Sequence, residues 1–252
     1  MMKRNLLFIT LLCMSLFSSA QFIIQEPKLL GGSFNKNLIY QQEFYYPADA
    51  KDFSGKCQIS FLVDTDGFAK DFKIEQSVTE KLDNAYIDLL KQYIWIPGTQ
   101  NGQDKAMRIN IYEKFKYKKY LKIVKRRGYD KPPFPYTPYS KSLAITQAKD
   151  MEEPIKAFYK GAPVNVHQFI RDYIKIPDAA RKQGIKGIVE LQFIVEASGR
   201  IGNFSVVKGV GGGCTEEAIR LMQLLNFEPG KKQGKYIRGS YHIKVNFGNT
   251  KY

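Results

Sequence analysis

The clearest structural signal in the chain is the stretch Gly187-Ile-Val-Glu-Leu-Gln-Phe-Ile-Val-Glu-Ala-Ser-Gly199, in which apolar and polar residues alternate. Side chains point to opposite faces along a strand, so Val189, Leu191 and Phe193 would share one face. The Ala-Ser-Gly ending is typical of a hairpin turn in which glycine takes a positive φ. The stretch therefore predicts an antiparallel strand pair with one buried face.

A second copy of this stretch occurs earlier in the chain, as Gly55-Lys-Cys-Gln-Ile-Ser-Phe-Leu-Val-Asp-Thr-Asp-Gly67. Upstream of it, Pro47-Ala-Asp-Ala50 corresponds to Pro177-Asp-Ala-Ala180. Downstream, Trp95-Ile-Pro-Gly98 corresponds to Phe227-Glu-Pro-Gly230. Because the matched positions keep one order along the chain, they indicate an internal duplication.

We call the two copies the first unit, residues 21–117, and the second unit, residues 153–252. Each unit is predicted to begin with a short helix, followed by a two-stranded hairpin, a longer helix and a last alternating strand over residues 238–247 of the second unit. The expected fold class is therefore α+β, with two tandem domains that each pack helices on one face of a small antiparallel sheet.

The region between the units has a different composition. Residues 114–127 contain eight basic residues and no acidic one, and residues 131–139 are rich in proline. Proline-rich segments favour an extended, polyproline-like backbone. We therefore predict a linker over residues 118–152. The alternative is that the basic part extends the last strand of the first unit as a solvated face.

The N-terminus has the pattern of a secretory signal peptide over residues 1–20. Lys3 and Arg4 precede an apolar run of about a dozen residues, and Ser18-Ser19-Ala20 provides a small-residue cleavage site. The apolar run is shorter than the roughly 20 residues that a spanning helix needs. We predict export to the periplasm with cleavage of this segment. The alternative is an uncleaved N-terminus that anchors the protein in the inner membrane.

The chain is strongly basic, with a formal net charge of +15. Removal of Lys3 and Arg4 with the signal peptide would lower the charge by two, to +13. Such an excess favours anionic partners. An exported protein rarely meets nucleic acid, so none is expected as a partner, and an anionic envelope polymer or lipid headgroups are the expected anionic partners.

Catalysis is not expected from this sequence, and neither a metal nor a cofactor is predicted. The chain contains two histidines, His167 and His242, and neither has a second ligand at metal-binding spacing. The acidic residues show no paired arrangement for acid–base chemistry. The run Gly209-Val-Gly-Gly-Gly213 precedes a helix but lacks the Lys-Ser or Lys-Thr ending of a nucleotide-binding loop.

These residues together resemble the TonB C-terminal domain family, and the resemblance covers most of the chain after residue 20. The second unit matches the family motif at Pro177, Ala180, Arg181, Gly187, Glu217, Pro229 and Gly230. It has Ile176 and Phe227 where the family pattern has tyrosine and tryptophan. The first unit keeps Tyr46-Pro47 and Trp95 but lacks the arginine and the Glu-Ala pair, so it is a divergent copy.

The resemblance implies a non-catalytic energy-transducer-like protein in transmembrane transport. Members of the family capture a short peptide of an outer-membrane receptor by adding it as a strand to an exposed sheet edge. The unpaired backbone of an edge strand is suited to such pairing in general. The corresponding edge here spans residues 236–247. The side chains predicted to take part are those of Arg238, Tyr241, His242, Ile243, Lys244 and Val245.

Two alternatives remain at this point. The basic residues could attach the protein to peptidoglycan or another anionic envelope polymer. The units could also pair edge to edge, within one chain or in a homodimer, which would make the protein a scaffold and occupy the edge itself. Binding through exposed charge weakens as ionic strength rises, whereas backbone pairing persists, so salt dependence separates the first alternative from peptide capture.

Overall fold

The structure is a computed structural model, and it describes residues 23–131 and 136–248. The predicted signal peptide at residues 1–20 lies outside the described residues. No helix within the described part of the chain is both long and apolar enough to cross a membrane.

Within the described residues, the first unit and the segment directly after it contain three helices and eight strands. The helices are α1 (Gly32–Glu43), α2 (Glu80–Leu90) and α3 (Tyr117–Arg127). The strands are β1 (Ile24–Gln25), β2 (Lys28–Leu29), β3 (Gly55–Val63), β4 (Ala69–Gln76), β5 (Trp95–Ile96), β6 (Gly98–Gln100), β7 (Gln103–Lys105) and β8 (Met107–Phe115). A short 3₁₀ helix lies at Ala48–Ala50.

The second unit repeats this order up to its last strand, with an α-helix in place of the 3₁₀ helix at Ala48–Ala50. Its helices are α4 (Val166–Tyr173), α5 (Asp178–Gln183) and α6 (Cys214–Gln223). Its strands are β9 (Lys156–Tyr159), β10 (Ala162–Pro163), β11 (Ile188–Val195), β12 (Ile201–Lys208), β13 (Asn226–Glu228), β14 (Lys231–Lys232), β15 (Lys235–Tyr236) and β16 (Gly239–Asn246). A 3₁₀ helix at Ala148–Asp150 precedes it.

The main sheets of the two units have the same topology and register. In the first unit the order is β4-β3-β8, and in the second it is β12-β11-β16, with all neighbours antiparallel. Val63 pairs with Met107 and Val195 pairs with Gly239, so equivalent residues occupy equivalent positions. The predicted duplication and α+β fold class are confirmed.

Each sheet buries one face against its helices. The alternating residues of β11 are fully buried as predicted, with Leu191 and Phe193 at 0% exposure. Leu221 of α6 lies in the same core. In the first unit Cys57 is buried among the equivalent residues, and its thiol is free. Burial raises the pKa of this thiol to about 12, so it behaves as a core residue.

The region predicted as a linker contains a helix that belongs to the first unit. Tyr120 and Ile123 of α3 are buried, and the ring of Tyr120 packs against Phe44 and Tyr46. Arg127 at the end of α3 donates to the carbonyl of Phe44 over 2.8 Å. Residues three apart lie on one helix face, so Tyr120 and Ile123 can both pack on the core when the segment is helical. This packing stabilises the basic segment as a helix. It is not an extension of β8.

The two units contact each other through α1 and β12. Asn35 of α1 is fully buried, and its side-chain amide donates to Phe204 O over 3.0 Å while its oxygen accepts from Phe204 N over 2.9 Å. Asn203 of β12 makes a second set of contacts, because its side chain accepts from Ile94 N and donates to Gln92 O of the first unit. The first half of β12, residues 201–204, is therefore buried at the contact with the first unit, whereas its last three residues are exposed.

A buried ion pair lies at the same contact. Arg200 Nε is 2.9 Å from Glu43 Oε1, and both side chains are nearly buried. The N–H does not point at the oxygen, so the contact is an ion pair without a well-formed hydrogen bond. Burial raises the pKa of Glu43 to about 7, although the Arg200 charge acts in the opposite direction.

Candidate peptide-binding edge

β16 is the outer strand of the second sheet. It pairs with β11 over its whole length, from Ile188↔Asn246 to Val195↔Gly239, without a register shift. A regular strand keeps its outward backbone groups in a straight row, which is the geometry that another extended chain can pair with. The edge expected from the sequence at residues 236–247 is thus an edge strand over Gly239–Asn246.

The direction of each backbone group on β16 follows from two hydrogen bonds. Phe247 N donates to Gly187 O over 2.8 Å, toward β11, and Ser240 N donates to Thr146 O over 3.0 Å, away from β11. In an antiparallel pair the direction alternates residue by residue. The N–H and C=O groups of His242, Lys244 and Asn246 therefore face outward, and those of Ile243 and Val245 bond to β11.

The start of this edge is already occupied by the chain itself. Residues 138–146, which we call the strap, run parallel to residues 236–240. Tyr236 N donates to Pro138 O over 3.0 Å, and Thr146 N donates to Arg238 O over 2.9 Å. The strap then turns away into the 3₁₀ helix. Among the described residues, none pairs with the outward groups of β16 beyond Ser240.

Five of the six predicted side chains lie on β16 and have three different environments. Ile243 and Val245 are buried in the core of the second unit. Tyr241 is partly buried, and its ring stacks on Phe193 with centroids 5.2 Å apart. His242 and Lys244 are exposed, at 49% and 59% of their side-chain areas, and both lie within 4 Å of Glu190. These two exposed residues and Tyr241 are the side chains that a bound strand could contact.

Arg238 is not a surface residue of this edge. Its guanidinium is 2% exposed and forms an ion pair with Glu196, at 2.7 Å from Nε to Oε2. It also donates to Gln92 O of the first unit over 2.5 Å and to Leu143 O over 3.0 Å. It lies just before β16, where the strap and the first unit cover it. Its observed contacts join three parts of the chain, so its predicted role in partner choice has no support in the geometry.

Two grooves flank the open part of the edge, and Tyr241 lines both. One has a volume of ≈ 580 Å³ between the 3₁₀ helix and β16, with Met151 and Ile155 on its wall. The other, of ≈ 550 Å³, lies between β9, β10 and α4 and includes Ile155 and Val164. A strand paired with His242 and Lys244 would place alternate side chains toward these two grooves, because side chains alternate between sheet faces.

One family matches the chain, described as Gram-negative bacterial TonB protein C-terminal. It matches at residues 42–117 and again at residues 173–248, which together are more than half of the 252 residues. The chain belongs to this family. Both matches include a complete three-stranded main sheet, and α3 lies almost entirely outside them. The comparisons with curated proteins and with solved structures gave no match.

Membership in the TonB C-terminal family makes this chain a TonB-like envelope protein with a role in transport or protein interaction. The family is a periplasmic, non-enzymatic domain family of Gram-negative bacteria, and its domains interact with outer-membrane proteins. Within residues 23–131 and 136–248, no group of three His, Cys, Asp or Glu side chains is arranged to hold a metal ion.

The TonB-family motif residues of the second unit lie in the scaffold and not along the edge. Glu217 accepts from Lys175 N over 2.8 Å and pairs with Arg220, which ties α6 to the segment before α5. Ala180 is buried at 1% exposure. A side chain at Gly187 would meet Val210 at 2.9 Å, so the glycine permits close packing there.

The remaining motif positions are also structural. Pro177 precedes α5 and its carbonyl accepts from Arg181 N over 2.9 Å, while the Arg181 side chain pairs with Asp178 at the surface. Gly230, after Pro229, accepts from Ile237 N over 2.9 Å and packs against the segment before β9. The motif residues therefore stabilise the fold, and the surface available for strand pairing is the exposed backbone of β16.

Sequence reasoning missed the strap and the grooves. No local pattern marks residues 138–146 as a strand, because the segment pairs with residues almost one hundred positions away. The glycine run at residues 209–213 packs closely against α5. Gly212 has φ +68° and a side chain there would lie 3.0 Å from the backbone of Ala180.

Proposed function

We propose that the second unit captures an extended segment of an outer-membrane receptor, or of another envelope protein, by adding it as a strand to β16. The protein would do so in the periplasm, after cleavage of residues 1–20, as a part of TonB-dependent transport. The observation that supports this best is the row of outward backbone groups at His242, Lys244 and Asn246. The strap shows that this same edge already pairs with extended chain immediately upstream.

The proposed site has room for a short segment. Because the strap ends at Thr146, opposite the start of β16, an incoming strand has about five residues of open edge, from His242 to Asn246. Backbone pairing would provide most of the affinity, and the grooves beside Tyr241 would select side chains. Each backbone hydrogen bond contributes about 1 kcal/mol, or about fivefold in affinity.

The test is a capture experiment from envelope extract with the chain from Gln21 onward as bait, at low salt and at about 0.5 M NaCl. We expect outer-membrane receptors to be recovered at both salt concentrations. Lys244→Pro should lose them, because proline removes an outward N–H without removing a bond to β11. The matched control is Lys244→Ala, which removes the ammonium group but keeps the backbone N–H and should retain binding.

Hydrogen exchange gives the direct readout. The amides of His242, Lys244 and Asn246 should exchange fast in the free protein and become protected when the captured receptor is added. Recovery of only salt-labile cell-wall material, or of the protein itself, would favour the polymer-binding or self-associating alternative. Loss of capture in Lys244→Ala as strong as in Lys244→Pro would contradict backbone pairing.

A further inference from the structure

The exposed face of α3, which lies almost wholly outside the two matched ranges, is strongly basic. This helix has 11 residues, which corresponds to a length of about 16 Å. Tyr120 and Ile123 turn toward the core of the first unit. The outward face carries five exposed cationic side chains: Lys118, Lys119, Lys122, Lys125 and Arg126.

These cations lie close together on one side of the helix. Residues three or four positions apart are neighbours on a helix surface, so Lys122 has Lys118 on one side and Arg126 on the other. Such like-charge pairs destabilise a helix by a few tenths of a kcal/mol each. Lysines in the first turn also oppose the helix dipole, and α3 has no acidic residue there.

No carboxylate compensates this charge in the part of the chain that the structure describes. None of the five cations has an Asp or Glu oxygen within 4.0 Å among residues 23–131 and 136–248. Elsewhere in the same unit, Lys36 and Lys70 each pair with an acid. The face of α3 is thus a concentrated positive surface that is electrostatically complementary to an anionic partner.

An apolar side chain lies at the border of this surface. Leu121 is 45% exposed, and it is a helix neighbour of Lys118 and Lys125. A dissolved polyanion such as polyphosphate offers no apolar contact for this side chain. A lipid surface does, because its headgroups attract the lysines while an apolar side chain enters the boundary with the acyl chains.

We propose that the outward face of α3 docks the first unit on an anionic phospholipid surface. The inference is independent of strand capture, because α3 belongs to the other unit and lies almost wholly outside the family matches. The lysine stems would lie along the interface with their ammonium groups at the lipid phosphates, and Leu121 would insert beside them. Docking would hold the protein at a membrane while the edge of the second unit stays available.

The experiment uses the chain from Gln21 onward and sedimentation with vesicles. One preparation is phosphatidylcholine with about 30% phosphatidylglycerol, and the other is phosphatidylcholine alone. We expect binding to the anionic vesicles only, weakening as salt rises. Each lysine near an anionic membrane contributes about fivefold. The triple variant Lys118→Glu, Lys119→Glu and Lys122→Glu should therefore bind at least about 100-fold more weakly.

A matched control separates this surface from net charge. Lys175, Lys182 and Lys186 are also exposed, and they lie in the second unit. Their triple replacement by Glu changes the net charge by the same amount and should alter vesicle binding by less than about threefold. An equal loss in both triple variants, or no binding of the unaltered protein to anionic vesicles, would overturn the proposal.

Leu121→Ser distinguishes a lipid surface from a soluble polyanion. Leu121 is 45% exposed and is not a member of the core cluster of the first unit, so its replacement should leave the fold intact, and circular dichroism checks this. We expect it to weaken vesicle binding about fivefold and to leave binding to inorganic polyphosphate unchanged. Equal vesicle binding by Leu121→Ser and the unaltered protein, together with equally tight polyphosphate binding, would assign the face to a soluble polyanion and refute lipid docking.

Discussion

The contact between the units gives the sharpest test of the structure, and Asn35→Ala is the change that probes it. The Asn35 side chain accepts from Phe204 N and donates to Phe204 O, at 2.9 and 3.0 Å, across the interface. Alanine removes both partners and leaves two buried backbone groups of Phe204 unsatisfied. Each such group costs about 1–3 kcal/mol, so we expect a loss of about 2–6 kcal/mol in the free energy of unfolding.

The assay is urea unfolding followed by two signals. Trp95 is the single tryptophan and is buried in the first unit, so its fluorescence reports that unit, whereas far-ultraviolet circular dichroism reports both. If the contact couples the units, the two signals should coincide in the unaltered protein and separate in Asn35→Ala. The matched control is Asn37→Ala, since Asn37 lies in the same helix and is exposed.

The structural account of the interface would be refuted by a small effect. A free energy of unfolding for Asn35→Ala within about 0.5 kcal/mol of that for Asn37→Ala would mean that water satisfies Phe204, or that the units do not meet through β12. Separate transitions in the unaltered protein would likewise show that the two units unfold independently. Only if the units do not meet through β12 would its first half also be open to strand addition.

Two further predictions concern buried charges. Arg238→Met should lower the free energy of unfolding by about 3–5 kcal/mol, because it leaves the Glu196 carboxylate without its partner. Receptor capture by the folded variant should be unchanged. Weaker capture with unchanged stability would instead identify Arg238 as a contact residue. The pKa of Glu43 is raised to about 7 by burial, so the folded state holds a proton that the unfolded state releases at about 4.5. The free energy of unfolding should therefore fall as the pH rises from about 4.5 through 7, and Glu43→Gln should remove this dependence. If the urea midpoint changes with pH in the same way in both proteins, the prediction is wrong.

Much of the fold could be read from local patterns. Alternation over residues 187–199 placed β11 and its buried face correctly, and the repeated order of matched residues identified the second copy. These features are visible because strand periodicity and turn glycines act over a few residues. Helix α3 was missed because its strong basic character obscured Tyr120 and Ile123, the two residues that pack it on the core.

The candidate site was predictable only in part. The edge strand was identified from its alternation, but which of its residues face outward required the bonds of Ser240 and Phe247 to their neighbours. Arg238 was interpreted as a surface side chain because polar residues near an alternating strand are usually exposed. Its burial depends on Gln92 of the first unit and on the strap, which are distant in sequence.

Local sequence was enough for the duplication and the α+β class, because those follow from periodicity and turn chemistry within each unit. The family was recognised from its resemblance to known motif residues, and the family match confirms it. The tertiary structure was needed for everything that depends on residues far apart along the chain. It showed that Asn35 bonds to Phe204 of β12, that the strap covers the start of β16, and that about five residues of that edge remain open. Such contacts are set by the packing of one unit on the other, and no short stretch of sequence records that arrangement.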